Sequence, residues 1–297
     1  MEIRGATVVI TGASSGIGRA TARAFSKRGA SVVLAARREK PLRELADELG
    51  GLAVPTDVAD PDAVEALAAA AVNRYGRVDV WVNNAGVYLV GSFESTPPDA
   101  FRRVLDTNYL GSVNGARAAL RRFREEGRGT LVFVGSVDAH VGAAHVASYA
   151  ASKAALVRFA ESLRQELRKT DGIDVCVVSP AAIDTPLFQH AGNYSGRVLK
   201  ALTPTFPPDK VADAIVRVVE RPRRETVVGS SGKLLLLQRR LAPTLADRTF
   251  AKQMETDQFG DGSARATDGN LFEPIDEGTG EKGGWQTVSP GTRRAAG

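Results

Sequence analysis

A short apolar run that passes into a glycine-rich turn and then a helical pattern constrains this chain more than any other stretch. Residues 6–10 read ATVVI, residues 11–18 read TGASSGIG, and residues 19–28 carry helical spacing. A β-rich run without polar alternation suits a strand buried on both faces, as in a parallel sheet. Gly12 permits the tight turn, Gly16 lets backbone approach a phosphate, and Gly18 lets the helix pack closely on the sheet. The free N–H groups and positive dipole end of that helix then suit a pyrophosphate. A glycine-rich turn alone can also be an ordinary turn, so the remaining chain must carry the argument.

The remaining chain repeats the rhythm. Strand-like runs at 31–36, 52–55, 79–82, 130–135, 173–178 and 226–228 alternate with helical stretches at 39–49, 61–74, 98–126, 147–169 and 207–220. Alternation of this kind predicts an α/β fold, a doubly wound parallel sheet of the Rossmann type. The second strand ends at Ala36, and Arg37 and Arg38 follow it. A carboxylate there would hold a ribose hydroxyl and select NAD, whereas an arginine fork suits the 2′-phosphate of NADP. The plainer reading is two surface arginines opening a helix. Asp57, after the third strand, could reach an adenine amino group or serve as a loop acid. In Asn83-Asn84-Ala85-Gly86, small Ala85 and Gly86 let backbone approach a ligand, and Asn83 could pin neighbouring strands. Asn108 falls inside a helical stretch, where asparagine is poor unless its side chain has a task.

The chemistry centres on 136–153. Ser136 is followed thirteen residues later by Tyr149 and four residues after that by Lys153. Side chains at i and i+4 share one helix face. A nearby ammonium favours a phenolate, so Lys153 is expected to lower the pKa of Tyr149 and make it a general acid/base. Ser136 could hold a substrate oxygen beside it. A Tyr–Lys pair at this spacing also arises as a weak solvated contact, and the serine and the glycine turn argue against that.

Bulk properties bound the rest. At 297 residues with 43% hydrophobic content, the chain can bury a sizeable core. No apolar run is long enough to span a bilayer, and the start lacks secretory features, so a cytoplasmic protein is the default. Cys176 is the one cysteine, which excludes an intrachain disulfide. The net charge of +5 is local to residues 221–240. A solvated surface explains it; contact with an acidic membrane surface is the lesser alternative, and no aromatic-interleaved basic motif suggests nucleic acid. Three scattered histidines, His140, His145 and His190, show no metal-ligand spacing, so no metal is expected. Beyond residue 230 the pattern changes. Leu234, Leu237, Leu241 and Leu245 form a stripe of helical period, read as packing against the domain or a second subunit, or as a lid, with Pro243 breaking it. Nine of the 30 glycines lie in residues 260–297, so that tail is expected to be disordered. The predicted organisation is a dinucleotide-binding catalytic domain over 1–230, a helical extension over 231–259, and the tail.

With TGASSGIG at 11–18, NNAG at 83–86, Ser136 and YAASK at 149–153 in this order, residues 5 to about 230 resemble a short-chain dehydrogenase/reductase. The resemblance implies catalytic roles for Asn108, Ser136, Tyr149 and Lys153, with Asn108 holding a water of a proton relay. It implies a cofactor site formed by Gly12, Ser14, Ser15, Gly16, Ile17, Gly18, Arg37, Arg38, Asp57, Val58, Asn84, Ala85, Gly86, Tyr149 and Lys153. Pro180, Ala181, Ile183 and Thr185 would cover the nicotinamide. The implied activity is hydride transfer between NADP(H), preferred over NAD(H), and a carbonyl/alcohol pair in a homodimer or homotetramer. A non-catalytic cofactor-binding regulator and an epimerase or dehydratase of the same fold are the alternatives. Two departures stand out: Ser15 where some relatives carry a basic residue, and Ala181 where glycine is common. A substrate pocket drawn from Tyr88, Leu89, Val90, Asp138–His145 and Leu187–His190 points to an apolar small-molecule ketone or secondary alcohol.

Overall fold

The computed structural model describes residues 1–285. The elements, in chain order, begin with β1 (Thr7–Thr11), α1 (Gly16–Ser26), β2 (Ser31–Ala36), α2 (Glu39–Leu49), β3 (Leu52–Pro55), α3 (Pro61–Tyr75) and β4 (Val80–Asn83). A short β5 (Leu89–Val90) precedes α4 (Pro98–Leu105), α5 (Gly111–Glu126), β6 (Gly129–Val134), α6 (Ala147–Glu166) and β7 (Ile173–Pro180). After β8 (Gly192–Asn193) and β9 (Arg197–Leu199) come α7 (Pro208–Glu220), β10 (Glu225–Val228), α8 (Ser230–Leu241), α9 (Pro243–Asp257) and β11 (Phe259–Ser263).

Seven of these strands form one parallel sheet in the order β10-β7-β6-β4-β1-β2-β3. The order runs outward in both directions from β1 and β4, which places a crevice at their carboxyl ends. Alternate side chains explain why the strands read as unbroken apolar runs. Val8 and Ile10 of β1 pack with Phe25 of α1, Leu45 of α2 and Ile215 of α7. Val9 points to the other face, among Leu67 of α3, Phe123 of α5 and Leu156 of α6. With helices on both faces, no position on β1 meets water. Helix boundaries follow local chemistry: the Asp60 carboxylate accepts from the N–H groups of Asp62 and Ala63, and Pro61 opens α3.

The helix expected over 98–126 is interrupted. Residues Asp106–Leu110 form a π-helical turn between α4 and α5. This wider turn directs Asn108 inward, where its Oδ1 accepts from Val87 N at 2.8 Å and its Nδ2 donates to Val87 O and Ser152 Oγ. Such turns are frequent at functional sites.

The carboxyl-terminal region corrects two expectations. The leucine stripe does not pack against the domain: Leu234, Leu237, Leu241 and Leu245 are all more than half exposed. Leu235 and Leu236 are the half-buried pair instead, packing in a cluster with Phe250, Met254 and Phe188. Nor are residues 259–285 disordered. Here β11 pairs with β9, Thr267 and Asn193 exchange backbone hydrogen bonds, and Leu271 is fully buried. Close backbone approach, rather than flexibility, accounts for a glycine such as Gly283: a Cβ there would lie 2.3 Å from Thr185 O. The rest of the expected tail, 286–297, lies outside the described residues. Among the described residues no helix is long and apolar enough to cross a membrane.

Candidate active site

One cleft, with about 280 Å³ of free space, runs along the carboxyl ends of the strands from Arg37 and Arg38 to Tyr149 and Lys153. At its inner end, Ser136 caps a short 3₁₀ turn, Val137–Ala139, and its Oγ accepts from Asp138 N at 3.1 Å. Tyr149 and Lys153 lie one turn apart near the start of α6, and both are buried. Lys153 Nζ lies 5.7 Å from the Tyr149 ring centroid and donates to Val134 O at 2.8 Å. The Tyr149 ring meets Tyr88 edge-on, with centroids 4.7 Å apart, and the Tyr88 hydroxyl accepts from Gln258 Nε2. Asn108 adjoins this group through Gly86, where a Cβ would sit 3.3 Å from Asn108 Oδ1 and 3.7 Å from Lys153 Nζ.

The electrostatics reverse one expectation. The net shift of the Tyr149 phenol is upward, not downward. Burial drives the phenol well above its usual value and the Asp138 carboxylate pushes it further, while Ser136 acts in the opposite sense. Burial likewise lowers Lys153 to about 8, opposed by Asp138. Asp138 is itself raised to about 6, first by burial, with Ser136 and Lys153 working against the shift. The physical reason is shared: a charge enclosed in low dielectric is penalised whatever its sign. The i, i+4 spacing brings the two groups together but says nothing of how dry their setting is. It also leaves out Asp138, whose anion opposes that of the phenolate.

At the outer end, the glycine turn is built as the sequence requires. Gly12 has φ +68°, and a Cβ there would lie 2.8 Å from Ala85 Cα. A Cβ on Gly18 would lie 2.3 Å from Gly12 O. The strand-pinning amide is Asn84 rather than Asn83: Asn84 Nδ2 donates to Thr11 O and Gly12 O, and Thr11 Oγ1 accepts from the N–H groups of Asn84 and Ala85. Asn83 points from β4 toward Gly115 of α5, where its Oδ1 accepts from Trp81 Nε1. Arg38 is not a surface residue. Its Nε and Nη2 donate to Ser14 Oγ, and Nη2 also donates to Ser15 Oγ at 2.8 Å. Asp57 pairs with Arg103 at 2.6 Å and accepts from Ala59 N, which holds its carboxyl below the usual range despite burial. Val58 is buried, and its carbonyl accepts from Asn114 Nδ2. Ile17 and Gly86 also line the cleft. A glycine cradle that a Cβ would fill, beside clustered hydroxyls and a guanidinium, fits a dinucleotide phosphate.

Pro180, Ala181, Ile183 and Thr185 line the cleft beyond β7. Ala181 is accommodated because Gly229 and Gly232 face it; a Cβ on Gly229 would lie 2.9 Å from the Ala181 methyl carbon. The expected substrate wall is only partly realised. Tyr88, Asp138, Leu187, Phe188 and His190 line the cleft, while Leu89 and Val90 pair with β8. His140 Nε2 pairs with Glu225 at 2.7 Å and His145 with Glu255, so neither is a substrate contact. Three contributions were missed from the sequence: Leu202 and Pro204 before α7, Leu235, Phe250 and Gln253 from α8 and α9, and Asn270, Pro274 and Ile275 from the segment after β11. Among the described residues no group of three potential metal ligands forms.

A parallel Rossmann-type sheet that brings a serine, a tyrosine and a lysine to the inner end of a dinucleotide-shaped cleft defines an oxidoreductase of the short-chain type. The family model described as short chain dehydrogenase matches residues 6–194, and the chain belongs to that family. Its relatives include the uncharacterized oxidoreductase YxnA of Bacillus subtilis (strain 168), 38% identical over 261 residues that make up 85% of this chain and 73% of YxnA. Dehydrogenase/reductase SDR family member 7B of Bos taurus is 34% identical over 267 residues, 84% of this chain and 82% of its own length. A short-chain dehydrogenase/reductase from Burkholderia phymatum, solved in complex with NAD, superimposes with a TM-score of 0.74 at 25% identity, over 82% of this chain and 96% of that one.

Proposed function

We propose that this oxidoreductase interconverts an apolar ketone and its secondary alcohol, using NADP(H) in preference to NAD(H). The observation that carries the reading is the meeting of buried Ser136, Tyr149 and Lys153 in one cleft with the Gly12 turn and the Ser14–Ser15–Arg38 cluster. When bound there, the nicotinamide supplies or accepts the hydride. Ser136 and Tyr149 then orient the substrate oxygen, and Tyr149 donates its proton to the developing alkoxide in reduction or removes it in oxidation. A neutral phenol, which burial and Asp138 favour, is the form that reduction needs. Lys153 holds the ribose hydroxyls, and Asn108 keeps the π-turn and Val87 backbone in place behind it. Arg38, with Ser14 and Ser15, receives the 2′-phosphate, and Arg37 lies beside it.

The apolar character of the substrate rests on Tyr88, Leu187, Phe188, Leu235 and Phe250 around the inner cleft. A homodimer or homotetramer is the assembly carried over from the family, and light scattering measures it. The function is tested by assaying carbonyls and alcohols with NADPH and NADH in parallel. Tyr149→Phe is expected to lose turnover by at least about a hundredfold while NADPH binding persists. Full activity in that variant ends the assignment of Tyr149, and a tenfold preference for NADH ends that of Arg37 and Arg38.

A further inference from the structure

The segment after β11 crosses the adenosine end of the cleft as a strap fixed at two points. Its first anchor is Leu271, fully buried near Leu89 and Gly192, with Asn270 N donating to His190 O. Its second is Gly283 and Trp285, whose N–H groups both donate to Asp184 Oδ1 at 3.0 and 2.8 Å, while Trp285 Nε1 donates to Thr185 O. Between the anchors the strap meets the groups that the dinucleotide phosphates would need. Arg37 donates to the carbonyls of Asn270, Leu271 and Phe272. Arg38 Nη1 donates to the carbonyls of Ile275 and Glu277, so that with Ser14 and Ser15 its whole guanidinium is engaged. Gly16 N, at the head of α1, donates to Gly280 O at 3.0 Å.

The strap also matches the cleft in charge. Residues 272–281 read FEPIDEGTGE, with four carboxylates and no basic residue. Glu273 lies within electrostatic reach of Arg37 and Asp276 of Arg38, and Glu281 pairs with Arg23 at 2.8 Å. Carbonyls and carboxylates laid over arginines and a helix amino terminus present what a phosphate would present there.

We propose that residues 270–283 are a specificity-determining strap that competes with the 2′-phosphate of NADP(H) for Arg37 and Arg38. The proposal rests on the reading of those arginines as the 2′-phosphate site. A dinucleotide without that phosphate makes no claim on the two guanidiniums: its pyrophosphate displaces only Gly280 from Gly16 N, and residues 270–277 stay closed over the arginines. One with it must displace strap carbonyls, so the strap narrows the advantage of NADP(H) below what the arginines alone would confer.

Hydrogen exchange of the wild-type chain with saturating NADPH or NADH tests this without any variant. NADPH is expected to speed exchange of the amides of residues 270–277, and NADH to leave those as in the free protein. Glu273→Gln with Asp276→Asn should tighten NADPH binding about tenfold and move NADH binding less than about twofold, whereas Trp285→Ala, which also loosens Gly280 from Gly16 N, should tighten both. Slower exchange over 270–277 with NADPH, or an equal effect of the two cofactors there, overturns the proposal. So does unchanged NADPH affinity in both strap variants. If NADPH is strongly preferred yet the strap is indifferent, only the strap reading fails. If the loosened variants prefer NADH, the reading of Arg37 and Arg38 fails with it.

Discussion

Asp138 illustrates how a single side chain sets the protonation of its neighbours. Its carboxyl, raised to about 6 against an ordinary 3.8, keeps its proton to higher pH in the folded chain than in the unfolded one. Stability therefore falls as pH rises from about 4 to 6, and the cost persists above that window. Asp138→Asn removes the cost. It is expected to stabilise the protein by about 1–2 kcal/mol at pH 8 and by nothing measurable at pH 4, read from thermal melts at the two values. The same substitution removes an anion that raises the Tyr149 pKa, so the rise of alcohol oxidation with pH should move to lower pH. A limb that stays put would show that the two groups do not communicate. At this scale, residue identity and spacing told which groups meet, since Ser136, Tyr149 and Lys153 do converge. The direction of their pKa shifts was not legible, because it depends on enclosure by Tyr88 and the C-terminal helices, which no local window contains.

Elements were legible wherever a pattern is local. The strand runs and the glycine turn fall where period and capping put them, within a residue or two, and the helix carrying Tyr149 starts at Ala147 and reaches its expected end through a 3₁₀ turn, Leu167–Lys169. The turn also yields a sharp expectation. Gly12→Ala must adopt φ +68° and place a methyl 2.8 Å from Ala85 Cα and Asn84 Nδ2, so backbone would have to move. A loss of about 1–3 kcal/mol in stability is expected, with dinucleotide affinity falling more steeply than unfolding alone explains. Unaltered binding measured by fluorescence titration would contradict that account of the turn. The π-turn escaped notice for a physical reason. One residue added to a helical turn leaves apolar spacing nearly intact, and only an asparagine in an unhelpful place hinted at it. The leucine stripe failed differently. Two faces of α8 carry leucines, and tertiary contacts bury Leu235 and Leu236, leaving the more periodic set exposed.

At the scale of the molecule, order along the chain predicted the sheet because right-handed crossovers leave few ways to arrange alternating strands and helices. What it could not predict is the return of the carboxyl-terminal segment across more than 200 residues to Arg37 and Arg38. Glycine there read as disorder, whereas the glycines serve close approach and the carboxylates complementarity. Leu271→Ala tests the first anchor. Truncating a fully buried leucine costs about 2–5 kcal/mol where the site cannot collapse. Here the loss should appear as release of the strap, seen as proteolytic cleavage within 264–285, before the sheet itself melts. Simultaneous loss of strap and sheet would mean the segment is integral to the core.

The second anchor has a consequence of its own. Asp184 sits in the loop that follows β7, between Ile183 and Thr185, and it grips the far end of the segment that reaches over the arginines. The two ends of the dinucleotide groove thus share one latch. Unfastening it would free both ends at once, so cofactor departure should follow a single rate instead of two separable ones.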